Sequence, residues 1–214
     1  IALPITSVDS GLYFDRPLSS SMGSAYTQTF EPRLYYLYIP QQDQSQIPLF
    51  DTATATYNYA QLFNEKRFSG FDRIKSANDI TIGGTTRFIN DTTGAELMNL
   101  SLGHRYFITP ENDFLYGNQT QDAQLFLPSP NLITELNNNW SKTISTTASF
   151  QYDTTYSVID AYTANIKWNP DDGKVINLGF NYQYDLPLLF YAYTPGQAFT
   201  PTSYENQYAI TVSE

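Results

Sequence analysis

The chain contains no cysteine, which excludes disulfide bridges and thiol chemistry. Charged residues are also scarce, at 15% of 214 residues against roughly 25% in ordinary soluble domains. Mean hydropathy is −0.37 and no apolar run approaches the ~20 residues of a membrane helix, which excludes a helical membrane protein. The formal net charge of −10 argues against nucleic acid as a partner, because phosphate binding needs basic patches.

Aromatic residues, at 16%, and alternating apolar and polar residues are abundant instead. Alternation places the two kinds of side chain on opposite faces of a β-strand. It predicts about nine strands, at 5–15, 25–39, 79–90, 95–109, 131–140, 143–153, 158–169, 175–186 and 204–214. Most have about the 9–11 residues with which a tilted strand crosses a bilayer. A helix is possible only at Tyr57–Lys66, inside the longest connector.

The predicted connectors differ in length between the two ends of the strands. Long connectors at 40–78, 110–130 and 187–203 are interspersed with short turns such as NDTTG (90–94) and NPDDGK (169–174). Outer-membrane barrels have short periplasmic turns and longer extracellular loops. We therefore expect residues 1–214 to form an antiparallel transmembrane β-barrel segment, part of a larger barrel, with long extracellular loops. A soluble β-sandwich is the alternative fold.

Charges avoid the apolar face of the predicted strands. In all nine strands the apolar stripe falls on even-numbered positions, whereas the odd positions carry Glu31, Arg33, Arg87, Arg105, Glu135, Asp153, Lys167 and Asp185. A Lys or Arg that faces mid-bilayer lipid costs about 2–4 kcal/mol, so a barrel wall predicts this separation. Glu96 and Asp160 are even but lie near strand ends. His104 is an interior exception that a bulge near Gly103 is expected to reorient.

Large aromatic residues fall near the ends of the apolar stripe, as in the two aromatic girdles of membrane barrels. Phe88, Trp140 and Trp168 lie beside short turns. Towards the long connectors lie Tyr36, Tyr38, Tyr106, Tyr152, Tyr184 and Tyr204.

Motifs for chemistry are weak. His104 is the single histidine and would be the base of a barrel hydrolase, although a lipid-facing strand position is the preferred interpretation. NPDDG (169–173) lacks the acidic spacing of a calcium loop and is expected to be a hairpin turn. We expect no metal, no cofactor and no catalytic residue.

The long connector is unusually apolar for a mobile loop. QIPLFDTATATYNYAQLFNEKRFSGFDR (46–73) contains eight apolar or aromatic anchors and so must pack on the lumen, a neighbouring loop or a partner, with packing on itself and no partner contact as the alternative. Asp51, Arg67, Asp72 and Arg73 are candidates for ion pairs that hold it in place.

Several motifs closely resemble one family. YTQTFEPRLYYLYIP (26–40), DQSQIPLFDT (43–52), AQLFNEKRFSGFDRI (60–74) and TTRFINDTTGAELMNLSLG (85–103) resemble the LptD family of lipopolysaccharide-assembly outer-membrane proteins. SVDSGLYFDR (7–16) and KVINLGFNYQY (174–184) look like the same family. The absence of an initiator Met and the end of the chain inside a strand lead us to expect a segment of a longer protein.

The resemblance implies a barrel of 26 strands in the bacterial outer membrane, plugged by a lipoprotein. Lipopolysaccharide would arrive from periplasmic bridge proteins through a missing N-terminal domain, and leave between the first and last strands. This segment would supply barrel wall, lumen surface and a plug-contacting loop, with outer-membrane lipid around it. A general diffusion porin or other outer-membrane channel is the alternative function.

Candidate residues follow from the strand pattern and this resemblance. Those expected to face the lumen are Thr27, Thr29, Glu31, Arg33, Thr85, Arg87, Asn165, Lys167, Asn177, Asn181 and Gln183. Those expected in the loop that contacts the plug are Phe50, Asp51, Phe63, Arg67, Phe68, Asp72 and Arg73.

Overall fold

The computed structural model consists of antiparallel strands and one short 3₁₀ helix. It describes residues 3–19, 25–44, 46–48, 50–52, 55, 57–70, 72–109, 131–154, 157–171 and 174–183, and the backbone of 205–213. The strands are β1 (Thr6–Gly11), β2 (Phe14–Ser19), β3 (Ala25–Ile39), β4 (Ala77–Asn90), β5 (Glu96–Phe107), β6 (Leu132–Asn139), β7 (Ile144–Asp153), β8 (Val158–Trp168), β9 (Val175–Gln183) and β10 (Glu205–Ser213), and the 3₁₀ helix is Ala60–Phe63. No helix in these ranges is long and apolar enough to cross a membrane.

All the strands belong to one antiparallel sheet in which neighbours along the chain are neighbours in space. The order is β1-β3-β4-β5-β6-β7-β8-β9-β10, and β2 also pairs with β3. The described end strands, β1 and β10, do not pair with each other. This arrangement confirms the predicted all-β class, and an unclosed sheet of this kind is consistent with part of a larger barrel.

The first predicted strand is divided in two. β1 and β2 pair with the same edge of β3 in one register that is interrupted only at residues 12–13. There Leu12 donates its N–H to the carbonyl of Pro32 at 3.0 Å. Pro32 has no N–H to donate in return, so the ladder loses a bond at this point. The prediction of one unbroken strand at 5–15 is therefore wrong.

The registers fix which residues share a face. Even-numbered residues lie opposite even-numbered ones across the sheet, as Ile80 does with Tyr36 on one side and Tyr106 on the other. Directly opposite residues project from the same side of an antiparallel sheet. We call the two sides the even face and the odd face. The strand order has nine positions, because β1 and β2 share one, and even-numbered residues lie on the same face in all nine. This agrees with the sequence pattern.

Two bulges account for the two acidic exceptions. The β4–β5 register shifts so that Ile89 lies opposite Glu96, which moves Glu96 to the odd face. The β7–β8 register shifts between residues 151 and 152, and Asp160 is the extra residue. Proximity to strand ends was the expected reason for both exceptions; a change of register is the structural one.

No bulge reorients His104. It lies directly opposite Ile82, and Gly103 lies opposite Gly83 in the unbroken part of the ladder. The expectation of a bulge near Gly103 is therefore wrong, and His104 stays on the even face.

The even face is the exposed apolar side of the sheet. Its large side chains with more than a third of their surface exposed include Val8, Leu12, Phe14, Phe30, Leu34, Tyr38, Ile82, Leu102, Tyr106, Trp140, Ile144, Phe150, Ile166, Trp168 and Leu178. A patch of this extent is far larger than the few hundred Å² that soluble monomers expose, and it marks a contact surface.

Connector length separates the two edges of the sheet. Residues 20–24, 91–95, 140–143 and 169–174 join strands at the short-turn edge. At the opposite edge, here the long-connector edge, consecutive strands are separated along the chain by residues 40–76, 108–131, 154–157 and 184–204. The predicted loops 110–130 and 187–203 lie outside the described residues, as do Tyr184, Asp185 and Tyr204.

Candidate functional site

The connector between β3 and β4 folds back onto the odd face. Its residues 57–68, which we call the strap, contain the 3₁₀ helix in place of the longer helix considered for Tyr57–Lys66. Leu62 and Phe63 of the strap are buried. They form a hydrophobic cluster with odd-face residues, namely Tyr35, Leu37, Ile39, Ala77 and Ile133. The odd face is thus dry beneath the strap, at the long-connector edge.

Two facing glycines provide the seat for the strap. Gly83 of β4 lies directly opposite Gly103 of β5. A Cβ on Gly83 would come 2.8 Å from the Phe63 ring, and a Cβ on Gly103 would come 2.7 Å from Leu62 Cδ1. Real Cβ atoms do not approach other heavy atoms so closely, so the strap can reach the backbone of the sheet only because both side chains are absent.

A buried ion cluster holds the strap beside this seat. Arg67 Nη2 donates to both carboxylate oxygens of Asp79, at 3.1 and 2.9 Å. Arg105 Nη2 donates to the carbonyls of Gln61 and Leu62, at 3.0 and 2.9 Å, and its Nε lies 3.9 Å from Asp79 Oδ1. The three charged side chains are at most 1% exposed. Breaking such a pair on one side leaves an uncompensated buried charge.

The strap crosses the strands one after another. Gln151 of β7 donates to the Tyr57 carbonyl at 2.9 Å, and Glu135 of β6 accepts the Tyr59 N–H at 2.8 Å. Thr81 of β4 donates to the Leu62 carbonyl at 3.0 Å. At the other end, the Arg33 guanidinium of β3 lies 4.4 Å from the centroid of the Phe63 ring, and Ser7 of β1 donates to Glu65 Oε1 at 2.6 Å. The strap therefore spans six neighbouring strands.

A hydrogen-bonded turn joins the chain before the strap to the chain after it. The carboxylate of Asp72 accepts the backbone N–H groups of Phe50 and Asp51, each at 3.0 Å. These bonds to the charged form hold the pKa of Asp72 below its ordinary value. Phe50 itself is 82% exposed, so the turn presents a large aromatic side chain away from the protein.

The predicted loop residues divide into a buried and an exposed group, with Asp72 between them as partly exposed. Phe63, Arg67, Phe68 and Arg73 are buried in the chain itself, and Arg73 donates to the carbonyl of Gln44. Phe50 and Asp51 are exposed. Of the expected ion pairs, Arg67 is bonded to Asp79, a residue outside the 46–73 stretch.

The remaining odd face, towards the short-turn edge and β8–β9, is polar. Arg87 binds Glu31 at 3.0 Å and Glu96 at 2.8 Å across three strands. Thr85 and Ser101 share a hydrogen bond of 2.9 Å.

The predicted lumen residues all lie on this odd face. Thr29 and Thr85 are buried, and Asn165, Lys167, Asn181 and Gln183 are exposed. The others, Thr27, Glu31, Arg33, Arg87 and Asn177, are partly exposed. The candidates therefore share one side of the sheet but not one site.

His104 sits among aromatic and hydroxyl groups on the even face. Its ring meets that of Tyr106 edge-on with centroids 4.0 Å apart, and its Nε2 lies 3.3 Å from the Thr154 hydroxyl. These contacts suit a residue at the edge of an apolar surface.

Sequence reasoning missed two features of the two faces. Tyr35, Leu37, Ile39 and Ile133 are apolar residues at odd positions, and that mismatch with the alternating pattern was the available sign of a covered odd face. Arg16 is a charge on the even face, where its guanidinium donates to Gln28 Oε1 at 2.9 and 2.6 Å.

A sheet with one continuous apolar face, one polar face and sorted connectors has the construction of a β-barrel wall. The model of the family LPS transport system D (LptD) matches residues 1–208. The chain belongs to this family.

Relatives named "LPS-assembly protein LptD" agree with the family match. The protein of Nitrosospira multiformis is 39% identical over 184 residues, which cover 86% of this chain and 19% of the relative. That of Ralstonia nicotianae is 40% identical over 183 residues, covering 84% and 22%. That of Pseudomonas putida F1 is 39% identical over 190 residues, covering 86% and 20%. The chain thus spans about a fifth of the length of the curated relatives it matches.

Proposed function

We propose that the chain is part of the outer-membrane barrel that inserts lipopolysaccharide into the outer leaflet. The observation that carries the proposal is the pairing of family membership with a wall-like sheet. The family name supports lipopolysaccharide as cargo, and the segregated faces support a place in a bilayer. No bond is made or broken in such transport, so the residues of this segment act as wall, lumen surface and contact sites.

The two faces of the sheet have different surroundings in this proposal. Leu34, Ile82, Leu102 and Leu178 on the even face would meet lipid, because each is apolar and about half exposed. The odd face would meet the aqueous lumen, where Asn165, Lys167, Asn177, Asn181 and Gln183 form its uncovered part. Polar interiors and apolar exteriors are the rule for outer-membrane barrels.

The connector at 40–78 would lie at the extracellular end and meet a plug lipoprotein. Phe63 and Arg67 are engaged by the sheet, whereas Phe50 is the largely exposed aromatic residue of the predicted set and is the candidate for contact with a partner. The turn closed by Asp72 fixes the backbone on which Phe50 is presented. A preorganised aromatic anchor loses little entropy on binding, which favours this position for a contact.

The test of the function uses the full-length protein in cells whose own copy has been depleted. Arrival of newly made lipopolysaccharide at the cell surface is measured after expression of the wild type. Restored arrival of lipopolysaccharide supports the proposal. If arrival stays as low as in the depleted cells although the protein assembles normally, the proposal is contradicted.

Conductance separates this function from that of a diffusion porin. The purified full-length barrel with its plug bound should show no large steady pore. If the full-length protein purifies without any plug protein and conducts through a large steady open pore, the porin function is favoured. For the contact site, Phe50→Ala is expected to weaken copurification of the plug lipoprotein, with Phe14→Ala on the opposite face as the matched control.

A further inference from the structure

Arg16 is a cation on the apolar even face. It lies directly opposite Gln28, and its guanidinium donates to Gln28 Oε1 from Nε at 2.9 Å and from Nη2 at 2.6 Å. The acid next to it in the chain, Asp15, lies opposite Thr29 and therefore projects from the odd face. None of the ion pairs among the described residues includes Arg16. No carboxylate in that part of the chain therefore neutralises its charge.

A short relay of hydrogen bonds fixes the direction of this cation. Gln28 Nε2 donates to the Thr86 hydroxyl at 3.1 Å, and that hydroxyl donates to the Thr29 carbonyl at 2.8 Å. The amide oxygen of Gln28 is thereby turned towards β2, where it accepts from Arg16. An arginine has five N–H donors in a planar fork, and only Nε and Nη2 bind Gln28. The Nη1 side of the exposed guanidinium is thus available to a second acceptor.

The surface on either side of Arg16 is apolar. Two residues further from the short-turn edge, Phe14 lies opposite Phe30, and both are about half exposed, at 53% and 52%. Two residues closer to that edge, Leu18 lies opposite Tyr26. A free inorganic anion would leave these side chains uncovered. An amphiphile with an anionic head matches the combination of one fixed cation and a broad apolar surround.

The position of Arg16 along the strands corresponds to the level of lipid headgroups. β3 has 15 residues, whereas a tilted strand needs about 9–11 to cross the hydrocarbon core, so roughly two or three residues extend beyond the core at each end. Gln28 is the fourth residue of β3 and lies at this boundary, with Arg16 beside it. The penalty for a cation on the lipid face falls towards zero at the interface. In the proposed function the short-turn edge is periplasmic, so the neighbouring lipids are those of the inner leaflet.

We propose that Arg16 and Gln28 form a binding site for the phosphate group of an anionic glycerophospholipid in the inner leaflet of the outer membrane. Arg16 Nη1 donates to a phosphate oxygen, a charge-assisted bond that suits the guanidinium fork. Gln28 is a positioning residue that holds the guanidinium, and the acyl chains cover Phe14 and Phe30. The site rests on the proposed placement of the even face in lipid. It goes beyond the transport function, because its ligand is a resident lipid and not the cargo.

The test places a bimane fluorophore beside the site in the full-length protein with its plug. Leu18→Cys carries the fluorophore two residues from Arg16, and Ile176→Cys carries it at the same edge and face of distant β9 as the matched control. The protein is embedded in phosphatidylcholine nanodiscs with increasing fractions of phosphatidylglycerol that is spin-labelled on an acyl chain, whose nitroxide quenches nearby bimane. Arg16→Gln should raise the half-quenching fraction about fivefold at position 18 and leave it unchanged at position 176.

Two conservative variants keep the test decisive if Arg16→Gln does not assemble. Arg16→Lys restores the charge without both bonds to Gln28, and Gln28→Leu keeps the charge and removes its acceptor. Each should give a half-quenching fraction between those of the wild type and Arg16→Gln. An unchanged fraction in Arg16→Gln overturns the proposal. So does an equal rise at position 176, because the effect would then be one of general surface charge.

Competition and a neutral probe separate the remaining explanations. Unlabelled phosphatidylglycerol should displace the labelled lipid from position 18 more effectively than lipid A or inorganic phosphate; stronger displacement by either of these overturns the assignment of the ligand. Spin-labelled phosphatidylcholine alone should quench at both positions. Absence of that quenching would contradict the proposed function, because the even face would not meet lipid. Its presence together with no effect of Arg16→Gln removes the lipid site alone.

Discussion

At the scale of the residue, position relative to the two faces decides which substitution is tolerated. Phe180 and Asn181 are adjacent in β9, yet one projects from the apolar even face and the other from the polar odd face. Phe180 stacks on Tyr162 with ring centroids 5.3 Å apart. Asn181 is exposed. The same new charge should therefore have opposite consequences at these neighbours.

Phe180→Lys should impair assembly of the full-length protein in the membrane. A Lys facing the middle of the bilayer costs about 2–4 kcal/mol, which is a large part of the stability of a protein. Asn181→Lys adds the same side chain to the odd face and should assemble normally. Heat-modifiable mobility on gels measures the folded fraction. Normal assembly of Phe180→Lys would show that the even face does not meet lipid.

The turn at Asp72 should open in acid. Because the pKa of Asp72 is lowered, its bonds to Phe50 and Asp51 add stability at pH values above 3.8, the ordinary pKa of the carboxyl group. This stability is lost as the pH falls through the lower pKa of the folded state. Pepsin cleavage next to exposed Phe50, normalised to an unfolded peptide, should accelerate in that range. Asp72→Asn should remove most of this pH dependence. An equal pH dependence in both proteins would mean that Asp72 does not close the turn.

At the scale of the element, small departures from regular strands carry the exceptions to the alternating pattern. The β5 bulge turns Glu96 towards Arg87, so a carboxylate at an even number joins the polar face. Pro32 divides the first strand without changing its register. Each departure costs ladder hydrogen bonds, and each leaves the even face apolar.

Pro32→Val should join β1 and β2 into one strand. A valine supplies the missing N–H, and one added ladder bond is worth about 0.5–1.5 kcal/mol. The new amide should be protected from hydrogen exchange, and the midpoint of urea unfolding should rise. Pro17→Val in β2 is the control, because it tests the general effect of removing a proline from this edge. A rapidly exchanging amide at position 32 would contradict this account of the interruption.

At the scale of the whole molecule, connector sorting predicts the orientation of the wall. Gln41 follows β3 at the long-connector edge, and Thr92 lies in the turn between β4 and β5 at the short-turn edge. Both side chains are exposed. In outer-membrane barrels, long loops are extracellular and short turns periplasmic.

Gln41→Cys in intact cells should therefore react with a reagent that does not cross the outer membrane, and Thr92→Cys should not. Both should react after the cells are lysed, which is the control for reactivity. Labelling of Thr92→Cys alone would invert the orientation of the wall.

Much of the fold followed from short-range pattern, because a strand repeats every two residues. The alternation at 175–186 predicted both faces of β9 before any partner was known, and the Asn, Asp and Gly turns predicted the short edge. The charge at Arg105 was likewise assigned to the odd face correctly. Its burial was not predictable, because the strap that covers it is some forty residues earlier in the chain.

The sequence alone determined that this chain forms an antiparallel sheet with an apolar and a polar face, since period-two alternation and turn residues act locally. The tertiary structure decided what covers each face. Apolar odd residues such as Leu37 and Ile133 are buried only because the strap reaches them, and it reaches them only because Gly83 and Gly103 face each other. Contacts between residues so distant in the chain depend on register and on the path of a connector, which alternation does not encode.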